Sequence, residues 1–97
     1  MKEIKIFDKV REFAGNKDLA REIRLKEILP YIDDDEGVIL NFEKVESATQ
    51  SFIHALISDV IRQKGIKVLD KLYFKSCSST IQKIIEIVTE YMQESNS

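Results

Sequence analysis

The chain has 97 residues, 43% hydrophobic and 33% charged, a composition that indicates one folded globular domain with no room for a second core. Its 15 basic and 17 acidic side chains are interspersed and give a formal net charge of −2, which argues against a nucleic-acid partner because no continuous basic face is present. No apolar run approaches the roughly 20 residues that span a bilayer, so we expect no membrane partner; a single cysteine and an N-terminus that alternates charged and apolar residues favour the cytoplasm.

The first third of the chain predicts a strand followed by a helix. Ile4 and Ile6 alternate with charged residues, which is typical of a strand with one solvated face. Asn16 is a good helix N-cap, and the apolar residues after it recur at helical spacing as far as Leu29. We expect Pro30 and the acidic run 33–36 to stop this helix. The run lacks the alternating spacing of a calcium loop and is interpreted as a solvated connector.

The remainder predicts two further strands and two further helices. Residues 37–42 form a short apolar run between turn signals, typical of a central strand covered on both faces. A hydroxyl-rich turn, 47–51, then leads into an amphipathic helix that Gly65 ends. A third strand should end near Lys75 or Ser76, and Ser79 with Gln82 has the spacing of a capping box for a third helix.

These elements predict a single α/β domain over 1–92, with a mainly parallel or mixed sheet of three to four strands and covering helices, followed by a polar tail over 93–97. A fourth strand is left open either at Ile66 to Leu69 or after Phe7. The residues expected in the core are those where strand and helix patterns meet the sheet: Ile39, Leu40, Phe42, Phe52, Leu56, Val60, Phe74, Ile81, Ile85 and Val88.

Few residues offer catalytic chemistry, and we expect neither an enzyme nor a cofactor or metal. The one histidine, His54, lies within the second helix, where Ser51 and Ser58 are the nearest hydroxyls at helical spacing; a Ser51–His54 pair is the enzymatic alternative. Three isolated glycines cannot form a phosphate-binding loop. Cys77 is interpreted as a small side chain at a strand end. The run Lys71, Tyr73, Lys75 is interpreted as the solvated face of an edge strand.

The turn 47–51 is the candidate functional segment because it follows the carboxyl end of the central strand, where parallel sheets usually meet ligands and partners. Phosphorylation of a hydroxyl at a helix start adds nearly two negative charges beside the positive end of the helix dipole. The fold therefore tolerates the modification while a partner encounters a changed surface. An ordinary N-cap is the structural alternative for Ser47, Thr49 and Ser51.

The stretch from Val38 to Val45, followed by Ser47 to Phe52, resembles a STAS-like domain family of bacterial proteins, in which a strand ending Asp-Phe-x-x-Val precedes a serine-rich turn closing on Ser-Phe. The run from Arg11 to Gly15, with Arg21-Glu22 beyond it, is similar to the opening of the same family. Asn41 stands where that family usually has aspartate. The resemblance implies a STAS-like fold from about Arg11 to the last strand.

The wider STAS group, which includes bacterial anti-sigma factor antagonists, carries Asp-Ser-Ser-Gly at the corresponding turn, and its second serine is phosphorylated by a histidine-kinase-like ATPase. By this resemblance the four corresponding residues here are Thr49, Gln50, Ser51 and Phe52, so only the second serine of the motif is retained, as Ser51. The resemblance implies a regulatory module with Ser51 as the phosphorylation candidate, and with the ATPase or an anti-sigma factor as partner.

We expect the partner-binding surface to comprise five polar residues: Ser47, Thr49, Gln50, Ser51 and His54. The alternative is a structural or oligomerising domain, such as a homodimer paired through a strand edge or a helix face, without a switch.

Overall fold

The computed structural model describes residues 1–95, which form five strands and five α-helices. The strands are β1 Lys2–Lys5, β2 Phe13–Ala14, β3 Val38–Asn41, β4 Ser47–Ala48 and β5 Leu72–Lys75. The α-helices are α1 Phe7–Val10, α2 Lys17–Ile23, α3 Leu29–Asp33, α4 Gln50–Lys64 and α5 Ser79–Ser95. A π-helical turn, Arg24–Ile28, joins α2 to α3, and a 3₁₀ segment, Ile66–Lys71, precedes β5. The α/β class predicted from the sequence is confirmed.

The main sheet is parallel throughout, with β3 between β1 and β5, so the prediction of a central strand in the middle of the chain is confirmed. Leu40 lies between Ile4 and Phe74 in register and is fully buried on the helix-covered face. On the opposite face Ile39 lies between Glu3 and Tyr73, both of which are exposed, and is itself only half-buried. The expectation that both faces are covered is therefore wrong, because polar neighbours on the flanking strands keep the second face in contact with solvent.

A second, smaller parallel sheet pairs β2 with β4, Phe13 with Ser47 and Ala14 with Ala48. The additional strand that the sequence left open thus follows Phe7, at Phe13–Ala14, whereas Ile66–Lys71 is helical. The hydroxyl-rich turn is shorter than predicted, because its first residue, Ser47, is part of this ladder.

The first helix does not end at Pro30 as the sequence predicted. The helical conformation continues without interruption from α2 through the π-helical turn into α3, which has Pro30 in its first turn. Proline lacks an amide hydrogen, and its ring clashes with the carbonyl four residues earlier in a regular helix. In the wider π-helical turn the amide of Leu29 donates to the carbonyl of Arg24. This turn accommodates the proline ring without ending the helix. The acidic run begins inside α3, at Asp33.

The connector after α3 is tied to its surroundings by ion pairs. Asp33 pairs with Lys64 at the end of α4, Asp35 pairs with Lys71, and Glu36 lies 3.3 Å from the N-terminal amine. These exposed pairs agree with a solvated connector and not with a cation-binding loop.

The helix starts follow the capping rules with one shift in register. The Asn16 side chain accepts hydrogen bonds from the amides of Asp18 and Leu19, as its predicted role requires. For α5 the cap is Ser78 and not Ser79, because the Ser78 hydroxyl accepts from the Ile81 amide at 3.2 Å. Helix α5 extends to Ser95, so residues 93–95 of the predicted tail are helical, and residues 96 and 97 lie outside the described residues.

The predicted core is largely confirmed: Leu40, Phe42, Phe52, Leu56, Val60, Ile81, Ile85 and Val88 are buried. Ile39 and Phe74 are half-buried. Phe42 and Phe52 are the two largest of the fully buried side chains.

Candidate functional site

The predicted partner surface lies where β4 leads into α4. Ser47 is half-buried in β4, and Thr49 is the one residue between strand and helix. The Thr49 amide donates to the Ala14 carbonyl at 2.9 Å, and its hydroxyl accepts from the Phe52 amide at 3.0 Å. Thr49 therefore joins the small sheet to the helix and is the N-cap of α4, so its hydroxyl is committed to the fold.

Gln50 and Ser51 are the first two residues of α4, and both side chains are exposed. Ser51 therefore lies in the first turn of α4 with an exposed side chain. The Thr49 cap serves only the amide of Phe52, so the amides of Gln50 and Ser51 have no intrahelical acceptor. A negative group on Ser51 would lie beside these donors and the positive end of the helix dipole.

The exposed start of α4 forms one wall of a cleft of about 550 Å³. The α4 wall extends from Gln50 to Asp59 and includes three members of the predicted surface, Gln50, Ser51 and His54. The opposite wall is basic and consists of Lys17 and Arg21 of α2 with Arg24 of the π-helical turn. This basic wall was not predicted from the sequence, although the spacing of 17, 21 and 24 places the three residues on one face of a helix.

Arg24 links the basic wall to α4 through an ion pair and a hydrogen bond. It is buried, with a side chain that is only 9% exposed, and its Nη1 lies 2.9 Å from Asp59 Oδ2 and 2.8 Å from the Ala55 carbonyl. Asp59, 35% exposed, also pairs with Arg62 one turn further along α4. The charge of Arg24 is therefore neutralised inside the structure, and this arginine positions the two walls relative to each other.

His54 contacts Ser58 and not Ser51. The Ser58 hydroxyl donates to the His54 carbonyl and lies 3.2 Å from the His54 Nδ1. The donor and acceptor roles in the second contact depend on the tautomer of the His54 ring. Ser58 is buried, and its hydrogen is held by a backbone oxygen. This pair orients the His54 ring on the cleft wall.

A second polar cluster lies on the open sheet face. Asn41 is buried, donates from Nδ2 to Glu3 Oε2 at 2.7 Å and accepts from the Glu43 amide at 2.9 Å. The Asn41 hydrogen bond, followed by the charge of Lys75, lowers the pKa of the Glu3 carboxyl below its usual value. An aspartate could accept from Glu43 but could not donate to Glu3, so the asparagine suits its neighbour here.

The surroundings of Cys77 and Tyr73 agree with the structural roles that the sequence predicted for them. Cys77 is half-buried beside Phe74 and Ile85, and burial raises the pKa of its thiol, which disfavours the reactive thiolate. Tyr73 is 46% exposed on the edge strand β5, between Lys71 and Lys75, as expected for a solvated strand face.

The described residues, 1–95, contain neither a metal-binding cluster nor a helix that could span a membrane. In this part of the chain, no group of three or more His, Cys, Asp or Glu side chains is placed to hold a metal ion. Among the helices described, none is both long enough and apolar enough to cross a bilayer.

Comparison with known proteins identifies a family. No match to the chain was found among curated proteins or among solved structures. One family model matches residues 20–82, which include the basic wall from Arg21 onward, β3, all of α4 and β5. That family is described as a STAS-like domain of unknown function (DUF4325). The match covers more than half of the chain and agrees with the resemblance seen in the Val38 to Phe52 stretch, so the chain belongs to this STAS-like domain family.

Proposed function

We propose that the chain is a non-enzymatic regulatory module that binds a protein partner through the start of α4, with Ser51 as a phosphorylation switch. The observation that carries the proposal is the position of Ser51, exposed in the first turn of α4 on the wall of the cleft. Gln50, Ser51 and His54 form the partner surface, with Thr49 and Ser47 supporting it from the strand side.

The chemistry of the helix start supports a switch at this residue. A phosphoserine there carries nearly two negative charges and three acceptor oxygens, and the free amides of α4 stabilise it. The modification therefore changes the charge of the partner surface while leaving the core untouched. The STAS resemblance suggests the partner class, a histidine-kinase-like ATPase or an anti-sigma factor, and a cytoplasmic location.

The test is a comparison of partner affinity with fold stability. A partner isolated by pull-down from the native cell extract is titrated against the wild type, Ser51→Ala and Ser51→Asp. Ser51→Asp should change partner affinity by about tenfold or more, because a charge is added at the contact surface. The free energy of unfolding should change by no more than about 1 kcal/mol, since an acid in the first turn is favoured by the helix dipole.

Ser79→Asp is the matched control. Ser79 is also an exposed serine in the first turn of a long helix, but it lies on α5, outside the cleft. It should leave partner affinity unchanged. Equal affinities of the wild type, Ser51→Ala and Ser51→Asp would refute the switch.

An oligomerising domain without a switch is the second candidate. It is favoured by the open sheet face, where Tyr73 is exposed on an edge strand beside the half-buried Ile39. Sedimentation at decreasing protein concentration distinguishes the two functions. A dimer that persists on dilution and dissociates in Tyr73→Lys would favour the second candidate.

A further inference from the structure

The basic wall of the cleft carries positive charge that the fold does not use. Lys17 and Arg21 are both exposed, and among residues 1–95 neither has an ion-pair or hydrogen-bond partner for its side chain. The one acidic residue that lines the cleft, Asp59, is already paired with Arg24 and Arg62. Two unneutralised cations therefore face the same cavity.

The opposite wall supplies hydrogen-bond donors at the same place. The amides of Gln50 and Ser51 have no intrahelical acceptor, and the Ser51 hydroxyl and the Gln50 side chain line the cleft beside them. Backbone amides at a helix start together with lysine and arginine side chains are the groups that proteins use to bind phosphate. Charge and donors thus converge from two elements that are separate in the sequence.

We propose that the cleft between α2 and α4 binds a phosphate group, held by Lys17, Arg21 and the first amides of α4. The ligand class is a phosphate monoester or free phosphate bound by the unmodified chain, so the site goes beyond the partner surface and does not depend on phosphorylation of Ser51. A phosphate placed on Ser51 would compete for the same cations and would exclude the free ligand.

The test is an NMR titration of the ¹⁵N-labelled chain with inorganic phosphate and, separately, with O-phosphoserine, at constant ionic strength. We expect saturable shifts of the Gln50 and Ser51 amides. Arg21→Ala and Lys17→Ala should each weaken binding by about tenfold, as expected for the loss of one charge-assisted contact. Tighter binding of O-phosphoserine would identify a monoester as the ligand, and equal or weaker binding would identify free phosphate.

Two controls separate this site from general charge effects. Lys83→Ala removes one exposed lysine from α5 and should leave the affinity for phosphate unchanged. Ser51→Asp should abolish phosphate binding while the fold persists, because its carboxylate occupies the helix start. Shifts that do not saturate, or equal affinities for wild type and Arg21→Ala, would overturn the proposal. So would phosphate binding that Ser51→Asp leaves intact. A phosphate site that fails these tests would leave the partner titration above unaffected.

Discussion

Removing Asp59 should destabilise the fold much more than removing Arg24, although both changes break the same ion pair. Asp59→Ala leaves a guanidinium whose side chain is only 9% exposed without a counter-ion, keeping only the Ala55 carbonyl as acceptor. Breaking a buried pair in this way costs about 3 to 5 kcal/mol, and we expect about 3 because that acceptor remains.

Arg24→Met has a different consequence. It leaves Asp59 35% exposed and still paired with Arg62, a situation close to that of a surface pair, which is worth about 0 to 1 kcal/mol. Methionine also retains the packing of the arginine stem. We therefore expect a loss of about 1 kcal/mol.

The difference between the two variants is large enough to measure by urea and thermal unfolding. About 2 kcal/mol corresponds to roughly 8 to 16 °C between the two melting temperatures in a domain of this size. Glu90→Ala, which removes an exposed acid from α5, is the control and should change the free energy of unfolding by no more than about 0.5 kcal/mol. If Arg24→Met cost as much as Asp59→Ala, the assignment of Arg24 as the buried, dependent partner would be wrong.

Two other predictions concern the core and the sheet. Phe52→Ala should cost about 3 to 5 kcal/mol in urea unfolding, because the side chain is fully buried against the sheet; a loss below about 1 kcal/mol would contradict the register of α4. Because the folded state lowers the pKa of Glu3 from 4.5, this group contributes stability above that pH, and the contribution is lost as the pH falls through the lower folded value. Asn41→Ala removes the main cause of the shift and should reduce this acid loss, which unfolding measured between neutral pH and about pH 3 would detect; an unchanged pH dependence would contradict it.

The sequence predicted the main elements because their signals are local. Alternation at Ile4 and Ile6, a continuous apolar run at β3 and the 3.6-residue stripe of α4 each follow from contact with one hydrophobic layer. The caps at Asn16 and Thr49 depend on hydrogen bonds within three residues. Such features do not need the rest of the fold, and they were predicted to within a few residues.

The features that the sequence did not predict depend on contacts between distant segments. Strands β2 and β4 have two residues each and show no alternation; they exist because Phe13 and Ser47 are brought together by the chain on either side. The passage of the first helix past Pro30 depends on a π-helical turn that no local propensity indicates. The open face of the sheet could not be predicted from β3 alone. Ile39 and Asn41 lie on that face, and within the apolar run 37–42 they look like part of a covered strand until the polar residues of β1 and β5 are placed beside them.

The candidate site combines both kinds of information, which explains why only half of it could be predicted. Ser51 was identified from a local pattern, a hydroxyl before an apolar stripe, together with the family resemblance. The basic wall opposite it comes from a helix about thirty residues earlier and meets α4 only through the Arg24 contacts with Ala55 and Asp59. A negative group on Ser51 would therefore face Lys17 and Arg21, whose position depends on the buried Arg24–Asp59 ion pair. Loss of that ion pair should change the effect of a negative group on Ser51, although the serine itself is unchanged.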